Sequence, residues 1–149
     1  MNNKELDEFF DKLQNSINLE AKSVYGERGY DRWVNPRFCS IIENPDSSAR
    51  LTGSCGDTME IFLRIEGEHV QEASYRTDGC ASSSICGSFA AEIVTGRSLE
   101  EILDMTGESI LRKIGTFPKG EEHCAHLAIS TVKEAVNLYI RSEVERSRQ

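Results

Sequence analysis

The sequence predicts an α+β fold: a small antiparallel three-stranded sheet covered by helices, with an additional N-terminal helix. Two observations predict this class. Apolar residues follow a helical period near the N-terminus and again in the second half, and they alternate with polar residues in between. The strand-like segments come together rather than alternating with helices. The length of 149 residues, 38% of them hydrophobic, predicts one domain over residues 1–149, of which 1–20 form a helical extension.

The N-terminal region predicts two helical stretches. From Lys4, apolar residues recur at three- and four-residue steps, which indicates an amphipathic helix. Its apolar face carries Leu6, Phe9, Phe10, Leu13 and Ile17. Residues 20–34 continue as a second stretch, interrupted around Gly26 and Gly29. Asn35 ends it, because a residue that precedes a proline is disfavoured in helical conformation.

Three segments predict the sheet. Residues 58–65 form a half-buried strand by their alternation. The buried side is predicted to carry Met59, Ile61, Leu63 and Ile65, and the other side Thr58, Glu60, Phe62 and Arg64. Residues 66–68 (Glu-Gly-Glu) form a hairpin turn into a strand over 69–77. Residues 49–54 supply the third strand through a turn at 55–57 (Cys-Gly-Asp).

Four helices are predicted after the sheet. The first follows Gly79, has apolar residues spaced for one buried face, and ends before Gly96. Residues 98–101 (Ser-Leu-Glu-Glu) begin the second with a capping-box pattern. A short helix follows around 108–114, and a long amphipathic helix runs from about 123 to 145.

The composition excludes several functions. The net charge is −8 and the pI is near 4.9, so the sequence lacks the basic balance of nucleic-acid-binding proteins. No apolar run approaches the roughly 20 residues of a membrane helix. Residues 1–7 are acidic and lack the features of a signal peptide, so we expect a cytoplasmic protein that binds neither membranes nor nucleic acids.

Five cysteines in a reducing compartment predict ligands or reactive thiols rather than disulfides. Cys55, Cys80 and Cys124 lie in polar segments at predicted element boundaries, where side chains can converge on a cleft. Together with Asp57 and His123 they offer sulfur, oxygen and nitrogen ligands. Such a mixed set suits zinc or iron in a cluster.

Two of these thiols are predicted at helix N-termini. The helix dipole there favours thiolate at Cys80 and Cys124, and thiolate is both the metal ligand and the sulfur nucleophile. Glu121 and Glu122 act in the opposite direction at Cys124, because nearby negative charge raises the pKa of a thiol.

The other cysteines and histidines are predicted to have structural roles. Cys39 and Cys86 are interpreted as small buried hydrophobes. His69 is predicted to be a surface residue of a strand. His126 would face away from the site on its helix, so it ranks below His123 as a ligand.

Three segments together resemble a known family. Cys55-Gly-Asp57, Gly79-Cys80-Ala-Ser-Ser and His123-Cys124-Ala closely resemble the signature segments of the iron–sulfur cluster scaffold family, of the IscU type and the NifU N-terminal domain. The intervals between the cysteines match as well, and residues 35–37 (Asn-Pro-Arg) resemble the stretch after the family's first helix. The resemblance covers residues 24–139 and leaves the N-terminal helix as an addition.

The resemblance implies a fold of this α+β kind and a carrier rather than an enzyme. Members of the family build a [2Fe–2S] cluster, and sometimes a [4Fe–4S] cluster, and pass it to apo iron–sulfur proteins. A pyridoxal-phosphate cysteine desulfurase of the IscS/NifS type supplies the sulfur as persulfide. Iron is therefore the expected metal, and zinc can occupy the same site in protein isolated without a cluster.

The resemblance also implies a role for each site residue. Cys55, Cys80 and Cys124 would be cluster ligands, and Cys124 would also accept the persulfide sulfur. Asp57 would tune cluster lability, and His123 would be an alternative ligand. The fourth ligand stays open between His123, Asp57, Cys86 and a group from a partner.

Some features depart from the family pattern. Residues 117–121 (Phe-Pro-Lys-Gly-Glu) replace a Leu-Pro-Pro-Val-Lys segment that is read by a dedicated Hsp70-type chaperone, which disfavours chaperone-assisted release by that route. Cys86 stands where the family often has serine. The ferredoxin-like segment and C-terminal domain of full-length NifU have no counterpart, so we expect a stand-alone scaffold that is a monomer or a weak dimer.

Two other functions compete with the scaffold. The first resembles the SufU proteins: a zinc-bound sulfur acceptor that relays persulfide from its desulfurase. That group has a long insertion before its third cysteine and an arginine at the position of His123, and this chain has neither. The second is a cysteine hydrolase using Cys124 with His123 or His126, for which the sequence supplies no oxyanion hole or orienting group.

Overall fold

A computed structural model describes residues 2–148 of the chain. The elements in chain order are α1 (Asn3–Val34), β1 (Ser47–Thr52), β2 (Thr58–Glu66), β3 (His69–Thr77), α2 (Ala81–Val94), α3 (Leu99–Leu103), α4 (Gly107–Ile114) and α5 (His123–Ser147), and a single 3-10 turn over Lys119–Glu121 precedes α5. The three strands form one antiparallel sheet in the order β1-β2-β3. The predicted α+β class, with its additional N-terminal helix, is confirmed.

The core lies between the sheet and helices α2 and α5. α5 packs across β1 and β2, and α2 packs against β3 and α5. The side of β2 that was predicted to be buried is buried throughout, since Met59, Ile61 and Leu63 are fully inaccessible and Ile65 is nearly so. Val70 and Tyr75 of β3 are equally inaccessible. This apolar layer fixes the sheet register, because a shift by one residue would expose it.

The opposite side of β2 differs from the prediction at one position. Phe62 is only 7% exposed, although it alternates with polar residues. The segment between α1 and β1 bonds to β3 through the Phe38 carbonyl and the Tyr75 amide, and then to the Arg64 side chain through the Glu43 carbonyl. We attribute the burial of Phe62 to this segment, which passes from β3 to β2. The periodicity of the β2 sequence cannot predict such a contact.

Element boundaries agree with the prediction to within about two residues at most ends. β1 is displaced the furthest, to Ser47–Thr52 instead of 49–54. The Gly53 amide bonds the Asp57 carbonyl, which makes residues 53–57 the turn between β1 and β2. The Ser98 hydroxyl accepts from the Glu101 amide at the start of α3, as its capping pattern predicts. Within residues 2–148, no helix is long and apolar enough to cross a membrane.

Helix α1 has a backbone break at the predicted position. Gly26 has φ 72° and ψ 176°, a conformation that L side chains rarely adopt, and a Cβ there would lie 2.9 Å from Thr116 Cβ. The part after the break is held against α2: the Arg32 guanidinium is buried, pairs with Glu92 at 3.0 Å and lies over the Phe89 ring. Every residue from 2 to 17 is exposed. The predicted amphipathic helix therefore forms, but the domain does not cover its apolar face.

Candidate metal centre

The sheet register brings two of the predicted site segments to one end of the molecule. Thr52 pairs with Thr58 across the β1–β2 turn, and Met59 pairs with Thr77 at the end of β3. The turn that carries Cys55 and the junction between β3 and α2 are therefore neighbours. The start of α5 completes the site, because Leu127 of α5 lies against Gly53 in the same turn.

Asp57, Cys80 and Cys124 form the centre of the site. One ligand atom from each lies within 4.8 Å of the others. The Cys80 sulfur is 3.8 Å from Asp57 Oδ2. Cys80 is the N-cap of α2 and Cys124 the second residue of α5, so two helix N-termini supply the thiols, as the sequence predicts. A zinc ion with Zn–S bonds of about 2.3 Å would hold its ligands about 4 Å apart, which this spacing fits.

Ser83 connects two of these groups and has no assigned role in the sequence interpretation. Its fully buried hydroxyl is 2.7 Å from Asp57 Oδ2 and 3.4 Å from the Cys124 sulfur. A hydroxyl has one proton to donate, and here it is shared between two acceptors, of which the carboxylate is the nearer and the sulfur the more distant. The serine run after Cys80 is visible in the sequence, but only the packing of α2 shows which serine faces the site.

The absence of a side chain at Gly79 leaves space for the Asp57 carboxylate. A Cβ at residue 79 would lie 2.7 Å from Asp57 Cγ and Oδ2 and 2.8 Å from Ser83 Oγ. Any side chain there would displace the carboxylate from the start of α2. The glycine in the Gly79-Cys80 pair therefore makes room for the Asp57 carboxylate.

Glu121 belongs to a second group of potential ligands, with His123 and Cys124. One donor atom of each lies within 4.8 Å of the others. Glu121 Oε2 is 3.8 Å from the Cys124 sulfur and 3.9 Å from His123 Nε2. The sequence alone predicts for Glu121 only that its negative charge raises the pKa of Cys124. The 3-10 turn before α5 brings it beside Cys124, which is common to both groups.

Cys55 lies outside these two groups of closely spaced ligands. It is exposed on the β1–β2 turn, beside Gly56 with φ 89°. It is nevertheless near enough for its charge to raise the pKa of Cys124. The structure thus groups Asp57 and Cys80 with Cys124, and separately His123 and Glu121 with Cys124, and it leaves the predicted ligand Cys55 outside both groups.

Burial determines the protonation of Cys124. Its side chain is inaccessible to solvent, and desolvation raises the pKa of the thiol to about 11, against a lowering by the Ser83 hydrogen bond. Cys80, Glu121 and Cys55 add to the increase. In the metal-free site, desolvation therefore opposes the thiolate that the helix dipole favours at Cys124. A bound cation would reverse the balance by stabilising the thiolate.

The burial of the remaining cysteines and histidines agrees with the prediction except at Cys39. Cys86 is buried, and burial raises the pKa of its thiol. His69 is exposed, and the exposed ring of His126 packs on Gly107. The prediction of a buried Cys39 is wrong, because this residue is exposed in the segment that bridges to β3 at Tyr75.

Comparison with known proteins identifies the family. Residues 24–146 match the family model of the NifU-like N terminal domain. The chain belongs to this family. The NifU-like match leaves out most of the exposed part of α1 and includes the segments that carry Cys55, Asp57, Cys80 and Cys124.

Relatives of this NifU-like chain include two curated proteins and a solved structure. The iron-sulfur cluster assembly scaffold protein IscU 1 of Archaeoglobus fulgidus is 29% identical over 119 residues, which are 79% of this chain and 78% of the relative. The iron-sulfur cluster assembly protein 1 of Oryza sativa is 33% identical, over 83% of this chain and 75% of the relative. The SufU structure from Fervidobacterium islandicum covers 77% of this chain and 98% of its own, with TM-score 0.64 and 20% identity, and it supports the fold.

Proposed function

We propose that this NifU-like protein is a scaffold for iron–sulfur cluster assembly, which accepts sulfur from a cysteine desulfurase and delivers the cluster to apo-proteins. The observation that carries the proposal is the convergence of Asp57, Cys80 and Cys124 within 4.8 Å. Two thiols and a carboxylate form a donor set for iron. The names of the two curated relatives, an iron-sulfur cluster assembly scaffold protein and an iron-sulfur cluster assembly protein, support the same function.

The cluster is cargo in this function, so its ligands must hold it and also release it. Cys80 and Cys124 supply soft thiolate ligands, with Cys55 available from the exposed turn. Asp57 supplies a hard oxygen ligand, which binds a cluster iron less firmly than a fourth thiolate would. His123 and Glu121 flank Cys124 as further donors. We expect a [2Fe–2S] cluster as the product, with recipients that are apo iron–sulfur proteins.

Cys124 is the proposed sulfur acceptor. In the transfer, the S–S bond of the desulfurase persulfide breaks and its terminal sulfur forms a new S–S bond with the Cys124 sulfur. The proton of the Cys124 thiol passes to the departing desulfurase cysteine. A thiol or another two-electron donor then reduces the bound sulfur to sulfide. Because the Cys124 sulfur is buried, we expect the groups around it to move when the persulfide reaches it.

The proposal is tested by anaerobic incubation with ferrous iron, cysteine, a cysteine desulfurase and a thiol reductant. We expect visible absorption from a protein-bound cluster, and its loss in Cys80→Ala. Cys39→Ala is the matched control, because Cys39 is also an exposed cysteine but is not among the converging ligands. A wild-type protein that stays colourless under these conditions contradicts the scaffold function.

A second candidate is a zinc-bound sulfur acceptor like SufU, and the spacing of the ligand atoms favours it. Asp57, Cys80 and Cys124 lie close enough to surround a single tetrahedral ion. In this function the protein would take up zinc, form no cluster and relay persulfide from the desulfurase. Uptake of one zinc ion together with persulfide transfer, without visible absorption, would favour it over the scaffold.

A further inference from the structure

The part of α1 before the break at Gly26 presents an uncovered apolar stripe. Every residue from 2 to 17 is exposed, so this part of the helix projects from the domain. The stripe is between 41% and 54% exposed at Leu6, Phe9, Phe10, Leu13, Ile17 and Val24. A solvated helix gains nothing from six large apolar side chains along one side, so this surface is suited to a partner.

The spacing of the stripe is that of a coiled-coil seam. Leu6, Phe10, Leu13 and Ile17 follow each other at alternating steps of four and three residues, and the next two positions of this series are Glu20 and Val24. In a heptad, Leu6 and Leu13 occupy d positions and Phe10 and Ile17 occupy a positions. Most charged residues lie at the outer b, c and f positions, namely Lys4, Glu5, Glu8, Asp11, Lys12 and Lys22. A 3.5-residue repeat predicts a helix as the partner surface.

We infer that this stripe pairs with the same stripe of a second copy of the chain, in antiparallel orientation. In a parallel pair, the two Glu20 carboxylates would face each other at a core position. In an antiparallel pair centred between residues 11 and 12, Phe10 faces Leu13 and Leu6 faces Ile17. Glu20 then faces Asn3, the first residue of the opposing helix, where the positive end of the helix dipole stabilises a carboxylate. In the antiparallel pair, each apolar residue of the seam therefore faces another apolar residue, and each Glu20 faces the start of the opposing helix.

The size of the stripe sets the strength of the pairing. The facing segments span 18 residues from position 3 to position 20, or about 27 Å of helix. Two copies would bury on the order of 1,000 Å² in total, at the lower end of specific interfaces, so we expect a dissociation constant in the micromolar range. The acidic balance of this helix argues against a membrane surface as the occupant, because helices that bind membranes carry Lys and Arg on their polar face.

Sedimentation equilibrium tests the pairing with two matched variants of the full chain. Leu13→Asp places a carboxylate in the seam, and Asn15→Asp places the same group at an outer position of the same helix; both residues are exposed. We expect wild type and Asn15→Asp to be dimers at about 100 μM and Leu13→Asp to dissociate at least tenfold more readily. Circular dichroism shows whether each variant keeps the fold. A monomeric wild type, or equal dissociation of the two variants, overturns the inference.

A photo-crosslinker tests the orientation. p-Benzoylphenylalanine in place of Asn3 is irradiated in the dimer, and the crosslinked peptide is identified by mass spectrometry. Attachment near residue 20 of the other copy supports the antiparallel pair, and attachment near residue 3 overturns it. Neither readout involves metal or cluster, so the pairing and the scaffold function can fail independently.

Discussion

The Ser83 hydroxyl, at the start of α2, lies 2.7 Å from the Asp57 carboxylate of the β1–β2 turn. This hydrogen bond makes the carboxylate a fixed member of the site. The same hydroxyl is 3.4 Å from the Cys124 sulfur, so a residue that need not touch the metal contacts two of its proposed ligands. Groups of this kind orient metal ligands and tune their basicity.

Replacing Ser83 by alanine should loosen the site without unfolding the protein. The change removes a hydrogen bond to a charged group, which is worth about 1.5–3 kcal/mol. Because the Ser83 hydrogen bond lowers the pKa of Cys124, its loss should raise that pKa further. Binding of Co²⁺, followed by its thiolate charge-transfer absorption, should be about tenfold weaker. Ser82→Ala is the control, because Ser82 bonds Tyr25 instead of the site; equal losses in both variants would contradict the role of Ser83.

Replacing Asp57 by alanine should make a bound cluster persist longer. The carboxylate is the hard ligand among thiolates, and its removal leaves the cluster to softer donors that exchange more slowly. The measurement is the transfer of a reconstituted cluster to an apo-ferredoxin, monitored by circular dichroism in the visible range. Transfer should slow several-fold, while Asp104→Ala, an exposed carboxylate that belongs to neither ligand group, should match wild type. Faster loss of the cluster from Asp57→Ala would contradict the lability argument.

Sequence periodicity predicts most of the fold, because each strand and helix buries one face. Met59, Ile61 and Leu63 show this most clearly, since their alternation alone places them in the core. Periodicity does not predict contacts between segments that are far apart in the sequence. The burial of Phe62, the exposure of Cys39 and the contact of Ser83 with Asp57 all depend on how separate elements pack. The three signature segments predict that Cys80 and Cys124 meet, whereas the desolvation that opposes a Cys124 thiolate depends on packing.

The Arg32–Glu92 pair should be the main attachment of α1 to the domain. The guanidinium is 6% exposed, bonds Glu92 at 3.0 Å and Ser88 at 3.1 Å, and lies 4.0 Å from the centre of the Phe89 ring. Arg32→Ala would leave Glu92 unpaired and a gap beside Phe89, so we expect a loss of about 3 kcal/mol in the free energy of unfolding. Urea denaturation measures it. Arg37→Ala, which removes an exposed pair at 3.8 Å, should cost under about 1 kcal/mol.

The raised pKa of Cys124 should make the stability of the metal-free protein fall in alkaline solution. Burial raises this pKa from its ordinary value of 9.0 to about 11. Below pH 9 the thiol is protonated in both states and the full stability is present. Between pH 9 and 11 the unfolded chain loses the proton and the folded protein keeps it, so the free energy of unfolding declines by up to about 1.4 kcal/mol per pH unit.

Cys124→Ala isolates this contribution, because Cys86, whose pKa is raised in the same direction, remains in the variant. Urea denaturation at a series of pH values, with chelator and thiol reductant present, measures both proteins. We expect the stability difference between wild type and Cys124→Ala to shrink by up to about 3 kcal/mol from pH 8 to pH 11. Parallel curves for Cys124→Ala would show that burial does not hold this thiol protonated, and the helix dipole would then be the stronger influence on the proposed sulfur acceptor.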